Sequence, residues 1–225
     1  MNKNYEILRA FADRISWNYI SKNQLSEDFI REFFDKLNWC QISGYQKLSE
    51  DFIREFFDLV DWCFISSHQK LSENFIREFK DKVYWNLVSN YQKLSENFIR
   101  EFKDKVNWNF VSSHQKLSEN FIREFQDKVD WNLISSHQKL SEDFIEEFQD
   151  KLCWQRLFDN QNLSKEFIEK FSSRATPSKI KKPIELFEKI QKNNLNMREI
   201  KEELNQIINP NEFFDLVINA ANKTE

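Results

Sequence analysis

The side chains that could do chemistry stand in rows, one member per copy of a recurring phrase. Carboxylates make two rows: Glu50, Glu73, Glu96 and Glu119, and Asp58, Asp81, Asp104 and Asp127. Paired carboxylates do general acid–base work when their environments push two pKa values apart. A row repeated without change gives every member the same surroundings, so none is singled out for catalysis. Arg54, Arg77, Arg100 and Arg123 form a third row, expected to pair with neighbouring acids along a solvated helix face. His68, His114 and His137 share one position, which Tyr45 and Tyr91 fill elsewhere. Adjacent helical units pack about 8–10 Å apart, whereas a shared zinc needs each ring nitrogen at about 2.0–2.1 Å. This row reads as aromatic packing or hydrogen bonding, and no metal or cofactor is expected. With Gly44 as the single glycine there is no phosphate-cradling loop, and the zinc-protease and nucleophile-elbow motifs are missing too. The expectation is a protein that is not an enzyme. Cys40 and Cys63 share one position in adjacent copies and Cys153 stands apart. A disulfide needs Cα atoms within about 7 Å, so all three read as free thiols of a cytoplasmic protein.

What positions these rows is the phrase itself. Leu-Ser-Glu-Asp-Phe-Ile begins at Leu25, Leu48 and Leu140, returns with Asn for Asp at Leu71, Leu94 and Leu117, and ends as Leu-Ser-Lys-Glu-Phe-Ile at Leu163, always 23 residues on. A fixed period in the twenties marks a solenoid, a stack of units each too small to bury its own apolar face. One glycine and three prolines are too few for a turn-rich β protein, so the class is all-α, an α-solenoid of two-helix repeats. A net charge of −4, with acids and bases interspersed, argues against a general nucleic-acid binder. No apolar run approaches the length of a membrane span, and Glu6, Arg9, Asp13 and Arg14 argue against a signal peptide at the N-terminus.

The unit Leu71–Lys93 shows the expected physics. Ser72 is placed as an N-cap, and Leu71 and Ile76 occupy the positions of a hydrophobic staple. Phe75, Ile76, Phe79 and Val83 fall on one face, predicting a long helix from about Glu73 to Val83. A shorter helix follows from the template Asn/Asp-Trp-x-x-Ile/Val-Ser, capped by the Asn or Asp except where Tyr84 stands. Helices under about 12 residues are marginal alone, so neighbours must supply the stability. Trp17, Trp39, Trp62, Trp85, Trp108, Trp131 and Trp154 are expected to form a ladder through the core rather than a stacking platform for bases or sugars.

The ends depart from the pattern. Aligning Trp17 with Trp39 makes residues 4–16 the first long helix, with Asn4 as its cap. The repeat array is expected over residues 1–173, as seven full units and a closing helix from about Lys165 to Phe171. Residues 174–183 carry Arg174, Lys179, Lys181 and Lys182 and no acid, a basic linker in which Lys179, Lys181 and Lys182 are candidate anion contacts. Residues 184–225 lose the period and predict further helices, the first starting at Pro183 and the last bearing Phe213 and Phe214. This segment either caps the open end of the array or is a separate docking module.

Positions that vary between copies point to function. The residue after the second phenylalanine of each long helix reads Phe34, Phe57, Lys80, Lys103, Gln126, Gln149. A core site does not alternate between Phe and Lys, so this is a surface line with an apolar end, and Phe34 and Phe57 are candidate partner contacts. Local packing of the first units is the competing reading. The residue two after each tryptophan also varies and adds Phe64 and Phe110, and the last predicted helix adds Phe213 and Phe214.

The string Asp-Lys-Val-Asn/Asp-Trp-x-x-Ile/Val-Ser-x-x-Gln-Lys-Leu-Ser-Glu-x-Phe-Ile resembles a short repeat of giant, mimivirus-like DNA virus proteins, over about residues 5–171. The resemblance implies a viral accessory or virion protein in the host cytoplasm or the particle, with no assigned chemistry and no catalytic residues to carry over. Three functions are open: a scaffold binding a host or viral protein, a structural component of a virion or assembly, and nucleic-acid binding through residues 174–183.

Overall fold

The computed structural model describes residues 3–174 and residue 199. The regular elements of the described residues are helices joined by turns and short extended links, an all-α fold of the α-solenoid type. The chain divides into two compact units, Met1–Lys116 and Leu117–Glu225.

The N-terminal unit begins with helix Lys3–Ala10, a 3-10 turn at Ala12–Arg14 and the short helix Trp17–Ile20. Asn4, expected before the first helix, lies within it. Helix pairs then repeat: Glu27–Glu32 with Trp39–Tyr45, Glu50–Glu55 with Trp62–His68, Glu73–Glu78 with Trp85–Tyr91, and Glu96–Glu101 with Trp108–His114. The C-terminal unit holds Glu119–Glu124 with Trp131–His137, Glu142–Glu147 with Trp154–Asn160, and Lys165–Lys170. Within each unit the tryptophan-led helices pack on one another in chain order.

The serine caps form as the sequence predicts. Ser26, Ser49, Ser72, Ser95, Ser118, Ser141 and Ser164 each accept the amide N–H three residues on. The predicted lengths do not hold. The helix expected to reach Val83 ends at Glu78 after 6 residues, and the tryptophan-led helix is the longer of the two at 7. Phe79 leaves helical geometry at φ −107°, ψ 28°, and a turn closes with Lys82 N and Val83 N both on the Phe79 carbonyl. No glycine or proline forces the break. The turn aims the Lys80 carbonyl at the Trp85 indole N–H, 2.9 Å away, while the Tyr84 amide bonds the Ser66 hydroxyl of the preceding repeat at 3.0 Å. A continued helix would join that carbonyl and that amide to each other. That carbonyl and that amide thus each keep a partner after the helix ends, one within the repeat and one in the preceding repeat, and Val83 is still buried. The same indole-to-carbonyl bond recurs from Trp39 to Phe34 and from Trp62 to Phe57.

The core is also distributed differently from expectation. Phe52, Phe75, Phe98, Phe121 and Phe144 are fully buried, as are the isoleucines that follow them. Trp17, Trp39, Trp62, Trp85, Trp108 and Trp131 are half-buried, and Trp154 alone of the seven is buried. Each indole spans from core to rim because its N–H must reach a carbonyl of the exposed turn. Within the N-terminal unit the ring packs on the next repeat, as Trp62 lies 6.2 Å from Phe75 and 4.9 Å from Phe79. Aromatic pairs at these separations add about 0.5–1.5 kcal/mol beyond their buried area.

Candidate functional site

The joints between repeats fix every surface row in register. At the joints within each unit a buried or half-buried glutamine reaches back one repeat. Gln92 donates from Nε2 to the Ser66 carbonyl at 2.9 Å and the Gln69 carbonyl at 2.8 Å, and its Oε1 accepts from the Leu71 amide at 3.1 Å. Gln46, Gln69 and Gln115 make the same three bonds in the N-terminal unit, and Gln161 does so in the C-terminal unit. All of this carboxamide's main hydrogen-bonding directions are thus satisfied by backbone, as burial requires. A buried serine adds a second link: Ser66 donates to the Trp62 carbonyl and accepts the Tyr84 amide. Tyr84 and Cys153 cannot cap their helices with a side chain, and their amides keep this serine bond.

The charged rows are absorbed by the same joints. Glu50 accepts the amide of Ser72, and Glu73 that of Ser95. Arg54 pairs with Glu78 of the next repeat at 2.8 Å, and its guanidinium lies 5.1 Å from the Phe75 ring centre. Arg31–Glu55, Arg77–Glu101 and Arg123–Glu147 repeat the pair. The same-helix pairing that the sequence pointed to also forms, Arg54 meeting Asp51 at 2.8 Å and Glu50 at 3.7 Å, and the contact to the next helix is added to it. Hydrogen bonding to Glu55, Glu78 and Glu147 raises the Arg31, Arg54 and Arg123 guanidinium pKa values above the usual range, against a smaller loss from desolvation. Stability linked to a raised basic pKa is present below the unfolded value and lost only above it. These links are therefore constant across neutral pH. Asp58 and Asp81 meet Lys82 and Lys105 of the following repeat at 3.8 and 3.0 Å.

The line Phe34, Phe57, Lys80, Lys103 lies on the surface of the N-terminal unit. Phe34 is 46 % exposed and Phe57 39 %. Each leans on a ring of the next repeat, Phe34 on Phe56 at 6.1 Å and Phe57 on Phe79 at 6.5 Å. Leu59, 45 % exposed, belongs with them and was missed from the sequence. Its signal was available: the position holds lysine as Lys36, Lys82, Lys105, Lys128 and Lys151. Lys82 covers the Phe57 ring at 5.7 Å, so Leu59 holds the matching place one repeat earlier, beside Phe34. Two adjacent repeats thus present Phe34, Phe57 and Leu59 where sister repeats present lysine or glutamine.

Phe64 and Phe110 lie on the tryptophan-led helices and are half-buried. Phe64 packs over Gly44, where an added Cβ would come within 3.1 Å of its ring, and sits 5.4 Å from His68. Phe110 meets His114 edge-on at 5.8 Å. These two rings are not part of the Phe34–Phe57–Leu59 cluster. Phe213, Phe214, Lys179, Lys181 and Lys182 lie outside the described residues, as do the basic linker beyond Arg174 and the predicted C-terminal helices.

His68, His114 and His137 are exposed. Ser67 Oγ donates to the Cys63 carbonyl at 2.8 Å and sits 2.7 Å from His68 Nδ1. Among the described residues no group of three His, Cys, Asp or Glu side chains could hold a metal, and no helix is long and apolar enough to cross a membrane. Cys40, Cys63 and Cys153 carry free thiols. Compared with family models, curated proteins and solved structures, the chain matches none.

Proposed function

We propose that this chain is a non-enzymatic repeat scaffold that binds a protein partner, host or viral, through the Phe34–Phe57–Leu59 surface. The observation that carries the reading is the exposure of these three side chains at positions where sister repeats present lysine or glutamine. Contiguous exposed apolar surface is costly to solubility and marks contact sites. The acidic and basic rows support the same reading, because the joints between repeats already employ them. The resemblance of the repeat to those of giant DNA viruses supports a viral accessory protein.

The test is affinity capture from infected or host cells with the wild-type chain and with the triple variant Phe34→Lys, Phe57→Lys, Leu59→Lys. Lysine stands at all three kinds of position in sister repeats or next to them, so the fold is expected to persist by circular dichroism. A stoichiometric partner bound by wild type and lost by the variant supports the scaffold. Recovery of capsid proteins alone, regardless of the substitutions, replaces it with a structural virion component. Salt-dependent DNA binding that is lost on neutralising Lys179, Lys181 and Lys182 replaces it with a nucleic-acid binder.

A further inference from the structure

The net charge of −4 hides a segregation within each repeat. In the N-terminal unit, residues 39–47, 62–70, 85–93 and 108–116 hold a tryptophan-led helix and the link after it, and contain no aspartate or glutamate. Each stretch ends in a ring, the clamp glutamine and a lysine: Tyr45-Gln46-Lys47, His68-Gln69-Lys70, Tyr91-Gln92-Lys93 and His114-Gln115-Lys116. The four glutamines are extended, Gln92 at φ −91°, ψ 151°, and buried. An extended residue sends its side chain to one side and those of its two neighbours to the other. Burying the clamp therefore turns the ring and the lysine outward together, and all eight side chains are exposed. We propose that this row binds single-stranded nucleic acid, one nucleotide per repeat, with the phosphate on the lysine and the base on the ring.

The pairing of ring and cation selects this ligand. Single strands are held by a basic track that follows the phosphates and by aromatic faces on which bases stack, and helical repeats can take them one base at a time. An acidic protein segment would use the lysines and leave the rings idle. The rings are also set in advance. His68 and His114 are held at Nδ1 by Ser67 and Ser113, each at 2.7 Å, and lie against Phe64 and Phe110. Among the described residues none of the four lysines forms an ion pair, although Glu27, Glu50 and Glu73 bond the serine amides two residues beyond Lys47, Lys70 and Lys93. Ring and lysine are also lost together: in the C-terminal unit Asn160 and Asn162 flank Gln161, and an acid, Asp159, stands beside them. The site shares no residue with the Phe34–Phe57–Leu59 surface.

Fluorescence anisotropy of the full-length chain with short labelled oligouridylate and oligothymidylate tests this. Binding of either strand is expected, with four phosphate contacts giving a slope of log affinity against log salt of about −3. Lys47→Asn, Lys70→Asn, Lys93→Asn and Lys116→Asn together should remove most of that slope. Tyr45→Asn, His68→Asn, Tyr91→Asn and His114→Asn together should weaken binding at least about tenfold and leave the slope unchanged. Asn160 and Asn162 show that asparagine fits both positions, so both variants should keep the wild-type circular dichroism. Binding to neither strand at low salt, a slope that the lysine changes do not alter, or loss on neutralising Lys179, Lys181 and Lys182 instead overturns the proposal. Binding that ignores the ring changes overturns it too, and a polyglutamate peptide that then binds equally well points to an acidic protein segment.

Discussion

The Glu146 carboxylate and the Lys170 ammonium meet at 2.7 Å, with the charges exchanged relative to Arg123–Glu147 one repeat earlier. Glu146 stands where sister repeats have arginine, and Lys170 where they have glutamate. Both partners have changed together, so the contact between these two repeats keeps its attraction. It also differs in sign from Arg31–Glu55, Arg54–Glu78 and Arg77–Glu101, which discourages a register slip that would set Glu146 against another glutamate.

A double-mutant cycle on this pair has a defined outcome. Lys170→Glu and Glu146→Arg should each destabilise the fold, and the double variant should recover most of the loss. The coupling expected for an exposed pair is about 0.2–1 kcal/mol, read from chemical denaturation, and it should shrink in high salt.

Much of the fold is legible in the sequence because it is local. Ser72 as a cap and Leu71 as an apolar neighbour of the helix start follow from a few adjacent residues. The joints are not local. Nothing near Gln92 indicates that its partners are Ser66, Gln69 and Leu71, because the contact depends on where the chain returns after a repeat. The helix end at Glu78 was hidden for the same reason, since the Trp85 indole and the Ser66 hydroxyl set it. Of the candidate contact surface, Phe34 and Phe57 were legible by comparing copies. Leu59 required the same comparison one row away.

Removing a buried clamp should cost more than removing a surface pair. Gln92→Ala leaves two carbonyls and an amide without partners and should destabilise by about 3 kcal/mol. Gln92→Glu adds a pH signature. Facing two carbonyls in a buried site, the carboxyl is held protonated, so its folded pKa rises above the unfolded value of about 4.3. The charge-dependent part of the penalty is then absent at low pH and grows as pH rises through that unfolded value. Melting temperatures of this variant relative to wild type should fall from pH 4 toward neutrality, and a flat difference would contradict the clamp.

Gln41 offers the opposite experiment. Its Oε1 is buried without a hydrogen-bond partner, at a position where other repeats have Phe64, Leu87, Phe110 and Leu133. Gln41→Leu removes the unsatisfied oxygen and should stabilise by about 1 kcal/mol, seen as a higher urea midpoint with an unchanged slope.

The half-buried tryptophans predict a graded response. Trp85→Ala loses the stack on Phe98 and Phe102 and the bond to the Lys80 carbonyl, and should cost about 3 kcal/mol. Trp85→Phe keeps an aromatic ring and loses the N–H, and should cost about 1 kcal/mol. Equal losses in thermal denaturation would show that stacking contributes nothing beyond the indole hydrogen bond.

Site-specific photocrosslinking tests the binding surface most directly. A benzoylphenylalanine at position 57 is compared with one at position 80, the matching exposed site one repeat on where the chain has Lys80. The scaffold reading predicts a single adduct with one protein partner from position 57, none with that partner from position 80, and loss of the adduct in the Phe34→Lys, Leu59→Lys background. Equal capture from both positions, or capture that survives those substitutions, would contradict it.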